Sequence, residues 1–202
     1  MSSNPDPGER RTLRRQLRAR RSALGPSVRH WADERIRAHL AYSYWLRPAR
    51  SIALYASMGD EVDTRQLRAL CRARGCAVYL PRITDFAARR MRFCRDAGAR
   101  LPINRMGIAE PALHQSIPAR WLSLILLPIL GFDNQGTRLG YGGGFYDRDL
   151  AFRLQQPAPP LLIGLAYACQ ELAHVAREAH DVALDGIVTE YGIRWFGRRG
   201  IA

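Results

Sequence analysis

The chain has 202 residues and a mass of 22.8 kDa, with 47% hydrophobic and 24% charged residues, the size and balance of one globular domain with a substantial core. Its net charge of +13 comes from 31 basic residues against 18 acidic ones, and every basic one is Arg, which makes the surface attractive to polyanions without choosing among nucleic acid, nucleotides and acidic ligands. No apolar run is long enough to span a bilayer, and Met1 to Pro7 lacks the apolar centre of a signal peptide, so a cytoplasmic protein without membrane attachment is expected.

Residues 9–24 have the spacing of a first helix, with Leu13, Leu17 and Leu24 on one side and Arg10, Arg11, Arg14, Arg15, Arg18, Arg20 and Arg21 covering the rest. An arginine run of this kind is ordinarily a solvated face. After Gly25-Pro26, Ser27 suits the cap of a second helix in which Ala32, Ile36 and Leu40 step by four and Tyr44 extends the stripe. Residues 50–56 read as the first strand and 57–64, Ser-Met-Gly-Asp-Glu-Val-Asp-Thr, as the loop that leaves it. Asp63 suits the cap of a third helix that turns Leu67, Leu70 and Cys71 inward and stops at Gly75. Residues 76–80, ahead of Pro81, and 91–94 read as short strands, and periodicity fades between 95 and 120, where Asn104 to Pro111 reads as an ordered loop. Cys71, Cys76, Cys94 and Cys169 lack metal-finger and C-x-x-C spacing and read as reduced, structural thiols.

Residues 122–130 are almost continuously apolar, the pattern of a strand buried on both faces. They run into Gly131-Phe-Asp-Asn-Gln-Gly-Thr-Arg-Leu-Gly-Tyr-Gly-Gly-Gly-Phe-Tyr-Asp-Arg148. Gly140, Gly142, Gly143 and Gly144 permit positive φ and leave backbone N–H groups uncovered, as a phosphate cradle requires. The breaker-free residues 145–154 predict a helix whose start points at the same place, although a plain tight turn between strand and helix has the same composition. The spacing is neither G-x-G-x-x-G nor that of a P-loop. Further on, 155–160 reads as a turn, 161–166 as a second buried strand and 186–189 as the last strand, with Asp181 and Asp185 as loop caps. Residues 192–202, with Arg194, Arg198 and Arg199, read as a basic tail outside a core of 9–191.

The run Gly-Phe-Asp-x-x-Gly-x-Arg-Leu-Gly-x-Gly-x-Gly-[Phe/Tyr]-Tyr-Asp at 131–147 resembles the signature of the 5-formyltetrahydrofolate cyclo-ligase (5,10-methenyltetrahydrofolate synthetase) family. Three further stretches are similar to the same family: Ser-Met-x-x-Glu-Val-x-Thr at 57–64, Asn-x-x-Gly-Ile-x-Glu-Pro at 104–111, and Arg10-x-x-x-Arg14, where the family's first residue is Lys. The resemblance implies an enzyme that uses ATP and Mg²⁺ to close 5-formyltetrahydrofolate to 5,10-methenyltetrahydrofolate, releasing ADP and phosphate, by phosphorylating the formyl oxygen before N10 attacks. It implies ATP contacts from Arg10, Arg11, Thr12, Leu13 and Arg14 and from Arg138, Leu139, Gly140, Tyr141, Gly142, Gly143, Gly144, Phe145 and Tyr146. It also implies folate contacts from Ala56, Met58, Glu61, Tyr141, Gly142, Gly143, Gly144 and Phe145, and a metal at Asp147 and Asp185. Arg138, Tyr146 and Glu61 are the expected catalytic groups.

The expected architecture is a single three-layer α/β/α domain, Rossmann-like, whose mostly parallel sheet places the site at the C-terminal ends of its strands. The expected partners are ATP and 5-formyltetrahydrofolate, with or without a polyglutamate tail, acting on a monomer. Two alternatives stand beside this reading: a nucleic-acid-binding module built on the Arg-rich helix and tail, and an ATP-using enzyme acting on another N-formyl compound.

Overall fold

The computed structural model describes residues 7–104, 107–112, 115–156 and 159–197. Two helices, α1 (Pro7–Ser22) and α2 (Pro26–Ala41), precede β1 (Ser51–Ala53), α3 (Arg65–Ala73), β2 (Ala77–Asp85), β3 (Arg90–Arg95) and β4 (Ser116–Ile117). There follow β5 (Leu124–Pro128), a small hairpin of β6 (Gly131–Phe132) and β7 (Arg138–Leu139), α4 (Phe145–Asp149), β8 (Leu161–Leu165), β9 (Gly186–Thr189) and β10 (Gly192–Trp195). The main sheet has the order β10-β9-β8-β5-β1-β2-β3-β4. Its centre, from β9 through β8, β5 and β1 to β2, is parallel, and β10, β3 and β4 add antiparallel margins.

The sheet is covered on both faces, which is why its central strand carries no polar side chain. Leu124 and Leu126 of β5 join α2 (Ala32, Ile36, Leu40) and α3 (Leu67, Cys71) in one core cluster, while Ile125 and Leu127 join Leu150, Phe145 and Tyr146 in the other. β1 hands the chain to β2 through α3 on the first face, and β5 hands it towards β8 through α4 on the second. Adjacent parallel strands β1 and β5 therefore send their connections in opposite directions, and a crevice opens between the loops at their C-terminal ends. α1 closes this edge. Its Leu17 packs on Leu139 of β7 and on Val175, and a side chain at Gly131 would bring its Cβ to 2.7 Å from Leu17 Cδ1, so glycine is what lets the helix come so close.

Several expectations are corrected. The N-cap of α2 is Gly25 rather than Ser27, and Tyr44, placed past the end of the helix, is solvent-exposed. β1 stops at Ala53. The N-cap of α3 is Thr64 rather than Asp63, whose carboxylate, one residue earlier, accepts the Arg65 N–H at 2.9 Å. β2 does not stop at Pro81 but runs to Asp85: Pro81 lies past Tyr79, the last residue paired with β1, so its missing N–H costs no bond on that side. The predicted helix 145–154 is the five-residue α4 followed by a 3-10 turn, Ala151–Leu154. Gly192–Trp195, read as part of a tail, forms an edge strand against β9, so the domain extends beyond residue 191. Arg198 and Arg199 lie outside the described residues.

Candidate functional site

The glycine-rich loop leaves β7 at the C-terminal edge of β5. Positive φ occurs at Gly142 (98°) and Gly144 (67°), whereas Gly140 and Gly143 keep ordinary backbone angles, a narrower need for glycine than expected. Among the described residues, the N–H groups of Gly140 to Gly144 meet no hydrogen-bond acceptor, and Gly142 and Gly143 are exposed. α4 is too short to contribute a sizeable end charge, so the loop's own amides carry the cradle.

The arginines of α1 divide by helical periodicity. Arg10, Arg14, Leu17 and Arg21 fall on one face, and Arg10 and Arg21 are buried rather than solvated. Arg14 donates from Nε to the Gly140 carbonyl at 2.9 Å and lies along Gly142. Burial and the neighbouring Arg10 hold its pKa below the usual arginine value. Arg10 reaches Glu178 at 2.6 Å and Asp181 at 2.9 Å, while its buried Nε has no partner. Arg11 and Thr12 point outward to solvent and Leu13 packs beside Leu17, so these three do not face the loop as expected. Leu139 is fully buried beneath α1 and offers a ligand no side-chain surface.

Facing the glycine loop is the segment after β1. Ser57 and Thr64 tie it into a closed bend, Ser57 Oγ donating to Val62 O at 2.9 Å and accepting the Thr64 N–H at 2.8 Å. The bend presents half-buried Ala56, exposed Met58 and Glu61, whose carboxylate accepts the Met58 N–H at 3.0 Å. Burial lifts the Glu61 pKa above the usual carboxylate value, against a hydrogen bond from Tyr141 that opposes the rise. Burial, and then the charge of Glu61, raise the Tyr146 phenol. The ring of Phe145 meets that of Phe86 edge-on, with centroids 6.2 Å apart.

Two of the expected roles change. Arg138 does not hold a free fork towards the loop: it is 6% exposed, and its guanidinium donates to Val182 O and to the Asp147 carboxylate. Asp185 lies at the opposite edge of the sheet, bonded to Leu162 at the start of β8 and paired with Arg153 at 2.7 Å. The acid brought to the site is Asp181: Asp147 accepts the N–H of Val182, the next residue, at 3.3 Å, and the ligand atoms of Glu178, His180 and Asp181 lie within 4.8 Å of one another. In sequence Asp181 and Asp185 both look like loop caps, Arg21 looks like part of a solvated face, and Glu178 and Asp60 carry no mark of a role. The spacing 10, 14, 17, 21 was a usable sign for Arg21. Nothing local distinguishes Asp181 from Asp185.

The profile of the 5-formyltetrahydrofolate cyclo-ligase family matches residues 6–190. The chain belongs to this family. Relatives named 5-formyltetrahydrofolate cyclo-ligase include those of Haemophilus influenzae, 33% identical over 89% of this chain and 97% of the relative, and of Escherichia coli K12, 31% identical over 86% and 96%. The structure of the Aquifex aeolicus 5,10-methenyltetrahydrofolate synthetase superposes with a TM-score of 0.80 at 27% identity, covering 96% of this chain and 95% of that one. The cyclo-ligase fold is thus the one described above. Among the described residues, no helix is long and apolar enough to cross a membrane.

Proposed function

We propose that the chain catalyses the ATP- and Mg²⁺-dependent closure of 5-formyltetrahydrofolate to 5,10-methenyltetrahydrofolate, with release of ADP and phosphate. The observation that supports this most strongly is the convergence, at the C-terminal ends of β1 and β5, of a loop of uncovered amides, two inward arginines and a desolvated carboxylate. Arg14 and the amides of Gly140 to Gly144 suit the triphosphate, Arg10 bridges it to the acids, and Glu61, Met58 and Tyr146 suit the pterin.

Asp147, Asp181 and Glu178 carry hard oxygen donors that would fit Mg²⁺, and the unpaired, buried Arg10 Nε beside them is a donor suited to a phosphate oxygen. Bound there, the ion supplies charge neutralisation for the phosphates. Arg138 holds Asp147 in place.

In the reaction, the N5-formyl oxygen attacks the γ-phosphorus and the bond to ADP breaks, turning a poor leaving oxygen into a phosphate ester. N10 then attacks the formyl carbon, the C–O bond breaks, phosphate leaves with the former formyl oxygen, and N10 gives up its proton. Alignment and charge neutralisation are the protein's main contributions to such a transfer. The mechanism is tested by labelling the formyl oxygen with ¹⁸O. The label is expected in the released phosphate, and its retention in water or folate overturns the proposal. A panel of other N-formyl compounds, with turnover expected on 5-formyltetrahydrofolate alone, tests the choice of substrate.

Of the Arg-rich helix on which the nucleic-acid alternative rests, Arg10 and Arg21 are turned inward onto acids, while Arg11, Arg15, Arg18 and Arg20 stay exposed.

A further inference from the structure

Arg21 is 5% exposed, has no part in the reading above and stands where the two halves of the crevice meet. Its Nη1 donates to the Tyr141 hydroxyl at 2.6 Å, and its Nε and Nη2 donate to Asp60 Oδ1 at 2.9 and 2.6 Å. Ser22 Oγ donates to the other oxygen of the same carboxylate. One guanidinium from α1 thereby holds both the glycine-rich loop, through Tyr141, and the bend that carries Glu61, through Asp60.

The polarity of these bonds matters. A guanidinium is a donor only, so the Tyr141 oxygen that accepts from Arg21 keeps its single proton to give elsewhere. We propose that Arg21 is a positioning residue for the folate half of the site, holding the Tyr141 hydroxyl and Asp60 together so that the glycine-rich loop and the bend that carries Glu61 stay in register. The inference rests on the cyclo-ligase reading for its substrate, though not for its geometry. Glu61 is faced by Arg21 from α1, Asp60 from its own bend, Tyr55 from the end of β1, and Tyr141 and Tyr146 from the glycine-rich segment. Arg21 and Tyr141 favour its charged form, whereas burial and Asp60 oppose it.

The test compares Arg21→Lys, Arg21→Ala, Tyr141→Phe and the double variant Arg21→Lys with Tyr141→Phe. Lysine keeps a positive charge but lacks the planar fork that reaches Asp60 and Tyr141 together. Arg21→Ala is expected to raise KM for 5-formyltetrahydrofolate about tenfold or more while KM for ATP changes less than about twofold, and Arg21→Lys to recover part of the loss. The acidic limb of the kcat/KM profile moves to higher pH in the arginine variants and in Tyr141→Phe, and the double variant is no worse than the poorer single one. Equal changes in both KM values, an unmoved acidic limb, or additive effects of the two substitutions overturn the inference. If Arg21→Ala does not fold, the lysine variant and Tyr141→Phe carry the same readouts. Binding of 5-formyltetrahydrofolate alone, measured by calorimetry, separates the two levels: wild type that does not bind sinks the functional reading. Wild type that binds and turns over, with variants indistinguishable from it, sinks only the role of Arg21.

Discussion

Two aspartates four positions apart, Asp181 and Asp185, have opposite surroundings. Asp185 offsets Arg153, whose Nε and Nη1 are buried without partners, so removing the carboxylate leaves an uncompensated internal charge. Asp185→Asn is expected to cost about 3–5 kcal/mol of stability, measured by urea unfolding, with an unchanged Mg²⁺ titration of activity. Asp147→Asn and Asp181→Asn should instead raise the Mg²⁺ requirement at least about tenfold. If Asp185→Asn shifts the Mg²⁺ titration and Asp181→Asn does not, the assignment made here is reversed. A third acid supplies a pH dependence. Burial pushes Asp149 up from 3.8 to about 6, against the pull of the Met91 N–H and of Arg92, Arg90 and Arg148. An acid whose folded pKa lies above its unfolded one holds an extra proton in the native state. Its stabilisation is complete below the unfolded value and is lost as the pH rises through about 6. The Tm of Asp149→Asn should therefore gain on that of wild type between about pH 4 and about pH 7, and a gap that stays constant with pH excludes the effect.

At the scale of elements, α1 is the piece on which the proposed nucleotide binding depends, and it is tied down by ion pairs from Arg10 and Arg21 as well as by apolar contact. Its anchor is the small cluster of Leu17, Leu139 and Val175, separate from the two main core clusters. Leu17→Ala should cost about 2–4 kcal/mol and should raise KM for both ATP and the folate, because Arg10, Arg14 and Arg21 ride on the same helix face. A loss of stability with both KM values unchanged would show that the site does not depend on the seating of α1. The helix also shows how a sequence pattern misleads. Its arginines look like a solvated covering because charge is usually outside, and only the acids at Glu178, Asp181 and Asp60, distant in sequence, reveal that Arg10 and Arg21 turn inward. Periodicity gave the helix, while long-range pairing decided its wet side.

For the whole molecule, the layout follows from one apolar strand and two loops whose chemistry could be read locally. The buried strand at Leu124–Pro128, the glycine-rich run and the bend around Glu61 all fall where their residue patterns put them. What escaped was set by distant partners: β10 needs β9 to be a strand at all, and the 3-10 continuation of α4 places Leu150 in the core and Arg153 on Asp185. The switch point between β1 and β5 is a property of the sheet order, which no local pattern states. The account's central claim is that this crevice joins a nucleotide to a formylated folate. Its most direct test is the absorbance of 5,10-methenyltetrahydrofolate after mixing the protein with 5-formyltetrahydrofolate. Product is expected only when both ATP and Mg²⁺ are present, with one ADP for each methenyl product. Product formed equally well without ATP, or ATP consumed without product, would contradict it.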